Sequence, residues 1–125
     1  MSTNTIVIAG NITADPTIRD GGNGRFVANF TVADTPRHKD QNSGEWIDGE
    51  PLFQKVAVWG PAAENVADSL KRGTRVVVTG RLAQRNFQAE GETKTYTEIQ
   101  ADEVAVSLKF ATAAVTKNSR NAAAN

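Results

Sequence analysis

The stretch Pro51-Leu52-Phe53-Gln54-Lys55-Val56-Ala57-Val58-Trp59-Gly60-Pro61, "PLFQKVAVWGP", decides how the chain is read. Its alternation and its β-branched and aromatic content mark a strand, and the closing Pro61 suits the first position of a helix. Successive side chains of a strand point to opposite faces. One face carries Leu52, Val56 and Val58, interrupted only by Gln54, and reads as a core side. The other carries Phe53, Lys55, Ala57 and Trp59. Two large aromatics and a lysine therefore stand on the face that should meet water.

Outward from this strand, three more segments are strongly β-like. Thr5 to Thr13 places Ile6, Ile8 and Ile12 on one face, and Arg25 to Thr35 does the same with Phe26, Ala28, Phe30 and Val32. Arg75 to Phe87 puts Val76, Val78, Gly80 and Leu82 on one side. A fifth, weaker segment runs from about Thr93 to Val104, where Tyr96, Ile99 and Val104 do not share a clean parity. Between the third and fourth strands lies a helix. Pro61 opens it, Ala62, Ala63, Val66, Ala67 and Leu70 make its apolar stripe, and Gly73 stops it. Lys71 and Arg72 fall in its expected last turn, where they complement the helix dipole. The order β-β-β-α-β-β predicts an all-β chain, a five-stranded Greek-key OB-fold barrel with one short helix between strands three and four.

The connections carry information too. Asp20-Gly21-Gly22-Asn23-Gly24 is a turn cluster expected to join the first two strands, and Gln88 to Glu92 closes another hairpin. Pro36 to Glu50 is long, polar and charged, with Trp46 inside it, and reads as a finger or lid. The expected division is one domain over residues 1–110 and a short disordered tail over 111–125, "ATAAVTKNSRNAAAN", with no acidic residue after Glu103.

At 125 residues, with 39% hydrophobic and 22% charged residues, the chain has the composition of one globular domain. It contains no cysteine, which excludes disulfides and cysteine-based zinc sites, and its one histidine, His38, leaves no histidine-rich metal site. No cofactor is expected. The apolar run Ile6 to Gly10 is far too short to span a bilayer, so no membrane partner is expected and the cytoplasm is the default location. The net charge is +0, but its distribution is uneven. Between Pro51 and Phe87, Lys55, Lys71, Arg72, Arg75, Arg81 and Arg85 face only Glu64 and Asp68, a local excess of +4. A neutral total is compatible with a basic face.

Parity places Arg75, Val77, Thr79, Arg81, Ala83, Arg85 and Phe87 together on the outward face of the fourth strand. Two strands thus each combine cations with an aromatic opposite the core side. Single-stranded nucleic acid offers phosphates to Lys and Arg and unpaired bases to aromatic rings, and each stack contributes about 1–3 kcal/mol whatever the base. Phe53 and Trp59 lie about 20 Å apart along an extended strand, too far to grip one base together. They would act as separate platforms, with Phe87 as a third and Lys55, Arg81 and Arg85 between them. Plainer readings stand beside this: Trp59 capping the barrel, Phe53 in an oligomer interface, the arginines as solvated charge. Catalysis has little support, since Glu64 and Asp68 one turn apart on a surface helix are ordinary solvated acids and no Gly-rich phosphate loop leads from a strand into a helix.

With these residues in view, the chain resembles the bacterial single-stranded DNA-binding proteins over roughly Asn4 to Phe110. The likeness rests on "VIAGNITADPTIR" (Val7 to Arg19), "VANFTVA" (Val27 to Ala33), "SGEW" (Ser43 to Trp46), "FQKVAVWG" (Phe53 to Gly60), "AENVADSLKRG" (Ala63 to Gly73) and "VVVTGRLAQRNF" (Val76 to Phe87), in this order and spacing. The resemblance implies a non-enzymatic homotetramer of OB-folds that wraps single-stranded DNA during replication, recombination and repair. It places stacking positions on Phe53, Trp59 and Phe87 and phosphate contacts on Lys55, Arg81 and Arg85. A further stacking position, often tryptophan in the family, falls on His38, where an imidazole or the nearby Trp46 would substitute. It also implies an extra C-terminal strand within Val104 to Val115 that hooks over a neighbouring subunit, and a long tail whose acidic tip recruits replication and repair proteins; this sequence ends at Asn125 without such a tip. A protein-docking OB module, such as a replisome accessory subunit, is the alternative reading of the same aromatic face.

Overall fold

A computed structural model of the chain describes residues 4–22 and 24–118. Its elements run β1 (Ile6–Ile12), β2 (Thr17–Asp20), β3 (Phe26–Asp34), β4 (Arg37–Lys39), β5 (Trp46–Asp48), β6 (Leu52–Trp59), α1 (Pro61–Ser69), β7 (Arg75–Ala89) and β8 (Glu92–Val106). The five strands and the helix read from hydrophobic pattern are all present as β1, β3, β6, β7, β8 and α1. Three short strands are additional. Thr17–Asp20 is exposed at every position, and β4 and β5 are three exposed residues each, so none carries the alternation of burial that betrays a strand in sequence. One consequence is a correction to the connectivity: the glycine-rich turn joins β2 to β3, not β1 to β3.

The main sheet has the order β1-β7-β8-β6-β3-β2, and a further β1–β3 pairing, Asn11 opposite Ala33 and Ile12 opposite Val32, closes β1, β7, β8, β6 and β3 into a barrel. All pairings are antiparallel except β6 with β8, where Val56 lies beside Ile99. Closure brings backbones close. A side-chain carbon on Gly10 would sit 2.3 Å from the Ala33 carbonyl oxygen, so only glycine fits there.

Ile8, Ile12, Ala28, Phe30, Val32, Val56, Val58, Val76, Val78 and Ile99 fill the barrel, and Ala63, Val66 and Leu70 of the helix segment plug its end. Gln54 interrupts the apolar face of β6 without leaving a buried amide unpaired, because its Nε2 donates to the carbonyl oxygens of Thr97 (3.2 Å) and Lys55 (3.1 Å). Some expected core residues lie at strand ends beyond the core. Leu52 is 54% exposed, Phe26 42% and Leu82 38%. Conversely, Val27 and Ala57, assigned by parity to the outer face, are buried.

Helix α1 has proline in its first turn as expected but ends at Ser69, so Lys71 and Arg72 lie beyond its last turn rather than in it. The Arg72 backbone N–H donates instead to the Asp15 carboxylate at 2.8 Å. The blurred parity of β8 also has a cause. Thr79 pairs with Glu103 while Gly80 pairs with Ala101, so Asp102 is an extra residue that switches the faces of everything after it. Ile99 and Val104 both reach the core from opposite parities for this reason. Residues 107–118 carry no strand in the single chain; the expected tail shows no regular structure over 111–118, and its remainder lies outside the described residues. Among the described residues no helix is long and apolar enough to cross a membrane.

Candidate nucleic-acid interface

The outward faces of β6, β7 and β8 form one surface, and register fixes who stands beside whom. Lys55 of β6 lies beside Glu98 of β8, and Ala57 beside Gln100. Across the other edge of β8, Gln100 faces Arg81, Tyr96 faces Arg85, and Lys94 faces Phe87 of β7. The strand after the helix is therefore not the sheet neighbour of β6; β8 lies between them. The parallel insertion of β8 places Tyr96, Glu98 and Gln100 between Phe53, Lys55 and Trp59 on one side and Arg81, Arg85 and Phe87 on the other. On the far side β3 continues the surface, with Val27 opposite Trp59 and Thr31 opposite Lys55.

The three aromatics expected on this surface differ in environment. Phe53 is 61% exposed and Phe87 52%, so both rings are open to a stacking partner. Trp59 is half-buried and held. Its indole N–H donates to Gln100 Oε1 at 3.1 Å, Gln100 Nε2 donates to Glu98 Oε1 at 2.6 Å, and Arg85 Nε meets the same carboxylate oxygen at 3.2 Å. A buried carboxylate on β8 thus fixes an arginine of β7 and, through one amide, the tryptophan of β6. The outer edge of the ring rests on Gly21, where an added side-chain carbon would come within 2.3 Å of it, and the Arg25 guanidinium lies over the ring, 5.5 Å from its centre. Trp59 is accordingly neither a simple cap nor a free platform.

Beside it runs an open groove of about 410 Å³ lined by Arg19, Asn29, Lys55, Trp59, Arg85 and Tyr96 among others. Lys55 Nζ sits 4.7 Å from the centre of the Tyr96 ring, a cation–π contact that leaves the ammonium on the groove surface. Tyr96, Arg19 and Arg25 are not among the candidate site residues that the sequence offers. The bulge at Asp102 disguised the parity of Tyr96, while Arg19 and Arg25 sit in and beside a hairpin whose strand β2 has no pattern to find.

The polar finger between β3 and β6 is a two-stranded ribbon. Arg37 faces Asp48, with an ion pair at 3.2 Å, His38 faces Ile47, and Lys39 faces Trp46. Residues directly opposite in an antiparallel pair share a face and neighbours along a strand do not. Trp46 therefore shares its face with Arg37 and Lys39, and His38 lies on the other. The ribbon rises from the end of β3 and β6 that carries Phe53, since Ala33 pairs with Phe53 and Asp34 with Leu52. At its tip Asp40 accepts hydrogen bonds from the Asn42 backbone N–H (3.1 Å) and the Ser43 hydroxyl (2.9 Å). These two donors, the first above all, hold its carboxyl below the ordinary carboxylate value. Among the described residues no group of His, Cys, Asp and Glu side chains is placed to hold a metal ion.

A closed five-stranded OB-fold barrel, with aromatic rings and cations interleaved on one open face and a charged finger at its end, is the class that fold and surface define. Residues 3–107 match the Single-strand binding protein family, and the chain belongs to that family. It is 57% identical over 118 residues to the single-stranded DNA-binding protein of Mycolicibacterium smegmatis, covering 94% of this chain and 72% of that one. The protein of the same description from Mycobacterium leprae is also 57% identical, over 94% of this chain and 70% of the relative. Among solved structures, the small single-stranded DNA-binding protein from Streptomyces coelicolor superposes with a TM-score of 0.75 at 34% identity, covering 86% of this chain and 97% of that one. The Plasmodium falciparum SSB in complex with ssDNA gives 0.72 at 25% identity, covering 85% and 96%.

Proposed function

We infer that this protein binds and protects single-stranded DNA without sequence preference, without catalysis, in the cytoplasm, during replication, recombination and repair, as a homotetramer of OB-folds. The binding domain is the barrel up to about Phe110. The observation that carries the reading is the face itself: Phe53, Phe87 and Tyr96 stand exposed, Trp59 is half-buried and held by Gln100, and Lys55, Arg81 and Arg85 lie between them. Aromatic rings supply stacking surfaces that accept any base, and the cations follow the backbone. Protein docking fits less well, because lysine and glutamate are depleted in protein interfaces and Lys55 and Glu98 stand at the middle of this surface.

Titration with oligo(dT) should quench tryptophan fluorescence. The logarithm of the affinity should fall linearly with the logarithm of salt concentration, by about 0.7 per phosphate neutralised. No quenching together with no gel shift at low salt would sink the reading.

A further inference from the structure

A second cavity, about 550 Å³, opens on the other side of Trp59 from the groove described above and is lined by Gly21, Gly22, Arg25, Trp59, Arg81, Gln100 and Ala101. Its charge differs from that of the groove. The groove wall carries Arg19, Lys55 and Arg85 but also Asp15 and Glu98, and Glu98 is already paired with Arg85. The second cavity has two guanidinium groups and no carboxylate in its wall. Neither Arg25 nor Arg81 forms an ion pair among the described residues, whereas Arg85 does.

The two arginines come from different parts of the fold and are set in place separately. Arg81 is fixed by its place in β7 opposite Gln100, the residue that also holds the Trp59 indole. Arg25 closes the β2–β3 turn: its carbonyl accepts from the Gly21 N–H at 2.8 Å and its own N–H donates to the Gly22 carbonyl at 3.2 Å. Its guanidinium is then laid over the Trp59 ring. A stacked guanidinium keeps its N–H edge free, and that planar fork matches the oxygens of a phosphate. At Gly22 an added side-chain carbon would meet nothing within 4 Å, so the cavity mouth is open there to an approaching backbone.

We propose that Arg25 and Arg81 form a phosphate seat beside Trp59, which takes the phosphodiester of the single strand next to the nucleotide that meets the tryptophan. This rests on the DNA-binding reading above and adds to it a residue, Arg25, and a division of labour. Bases lie along the groove of Lys55 and Tyr96, where cations are partly neutralised by Glu98, and the backbone turns across the tryptophan into the cavity of Arg25 and Arg81, beside which Asp20 is held by the Gly22 N–H at 2.9 Å.

The test is the salt slope of binding, read by anisotropy of dye-labelled oligo(dT). Arg25→Gln and Arg81→Gln should each flatten the slope by about 0.7, and the double variant by about twice that. Arg25→Lys should restore the slope, because it returns the charge. Lys71→Gln, an exposed cation outside both cavities, serves as the comparison and should leave the slope unchanged. If Arg25→Gln weakens binding with the wild-type slope, Arg25 acts through the ring alone and the seat is overturned. An equal flattening by Lys71→Gln overturns it as well, since diffuse charge would then suffice. If the wild-type chain itself fails to bind oligo(dT), the DNA-binding reading fails and the seat with it; binding by wild type with no change in Arg25→Gln removes the seat alone.

Discussion

Phe53 and Trp59, six residues apart on one face of one strand, do different work because their neighbours differ. The Phe53 ring carries no polar atom and is 61% exposed, so its contribution lies in what it can stack upon. Phe53→Ala and Phe87→Ala should each weaken oligo(dT) binding by about 1–3 kcal/mol, while thermal melting stays close to wild type because little buried area is lost. Trp59 belongs to the Arg85–Glu98–Gln100 chain and leans on Gly21. A methyl group at position 21 collides with a ring that this chain holds still. Gly21→Ala should therefore shift the Trp59 fluorescence and weaken oligo(dT) binding, although residue 21 carries no functional atom; unchanged emission and affinity would show that the ring moves aside freely. Most of this surface was legible in the sequence. Phe53, Lys55, Trp59, Arg81, Arg85 and Phe87 all follow from alternation in two long strands. What alternation could not reveal was that β8 lies between them, nor that Tyr96 faces outward, because a single bulged residue, Asp102, reverses the pattern halfway along the strand.

The ribbon of β4 and β5 is the element least visible in the sequence and the one most dependent on polar detail. Six exposed residues bury too little to hold a hairpin, so its register relies on the Arg37–Asp48 pair and on the turn around Asp40. That turn is tied by the Asp40 N–H donating to the Glu45 carbonyl at 2.7 Å and the Gly44 N–H donating to the Asp40 carbonyl at 2.8 Å, besides the two bonds to its carboxylate. The sign of the pH effect follows. The folded-state pKa of Asp40 lies below its ordinary value of 3.8, so the stabilisation is fully present above that value and is lost as the pH falls through the depressed one. In a Trp59→Phe background, Trp46 emission should stay constant from neutral pH down to the ordinary carboxylate range and change only below it. Asp40→Ala should show the acid-form emission at every pH. A Trp46 transition at clearly higher pH would mean that some group other than Asp40 controls the finger. The sequence marked this loop as functional by its length and charge, yet it could not say that His38 and Trp46 occupy opposite faces, since that depends on a three-residue register.

For the whole molecule, the long strand β7 joins two surfaces of different character. Its outward side chains are Arg75, Val77 and Thr79 before Gly80, and Arg81, Ala83, Arg85 and Phe87 after it. The second half lies on the aromatic and basic face proposed above to bind DNA. The first half lies against β1, where Val7 pairs with Thr79 and Ala9 with Val77, and Val7 is 62% exposed. Past β8 the chain adds Leu108, Phe110 and Val115, exposed at 66%, 78% and 91%. Phe110 lies beside β7, its ring centre 6.0 Å from the Arg75 guanidinium, and these exposed apolar side chains are read as the subunit interface of the proposed tetramer. They are distinct in position from the aromatic and basic face, as a homotetramer requires if every subunit is to keep its DNA-binding surface open. The prediction joins both surfaces. Native mass spectrometry should find wild type as a tetramer, and Val7→Glu, which sets a like charge against its own copy or buries it in the interface, should shift the population to smaller species. Those species should still quench on oligo(dT), with lower affinity per strand because fewer linked sites share one molecule. A monomeric wild type would remove the tetramer from the proposal, and a Val7→Glu variant that stays tetrameric would move the interface away from the β1–β7 face.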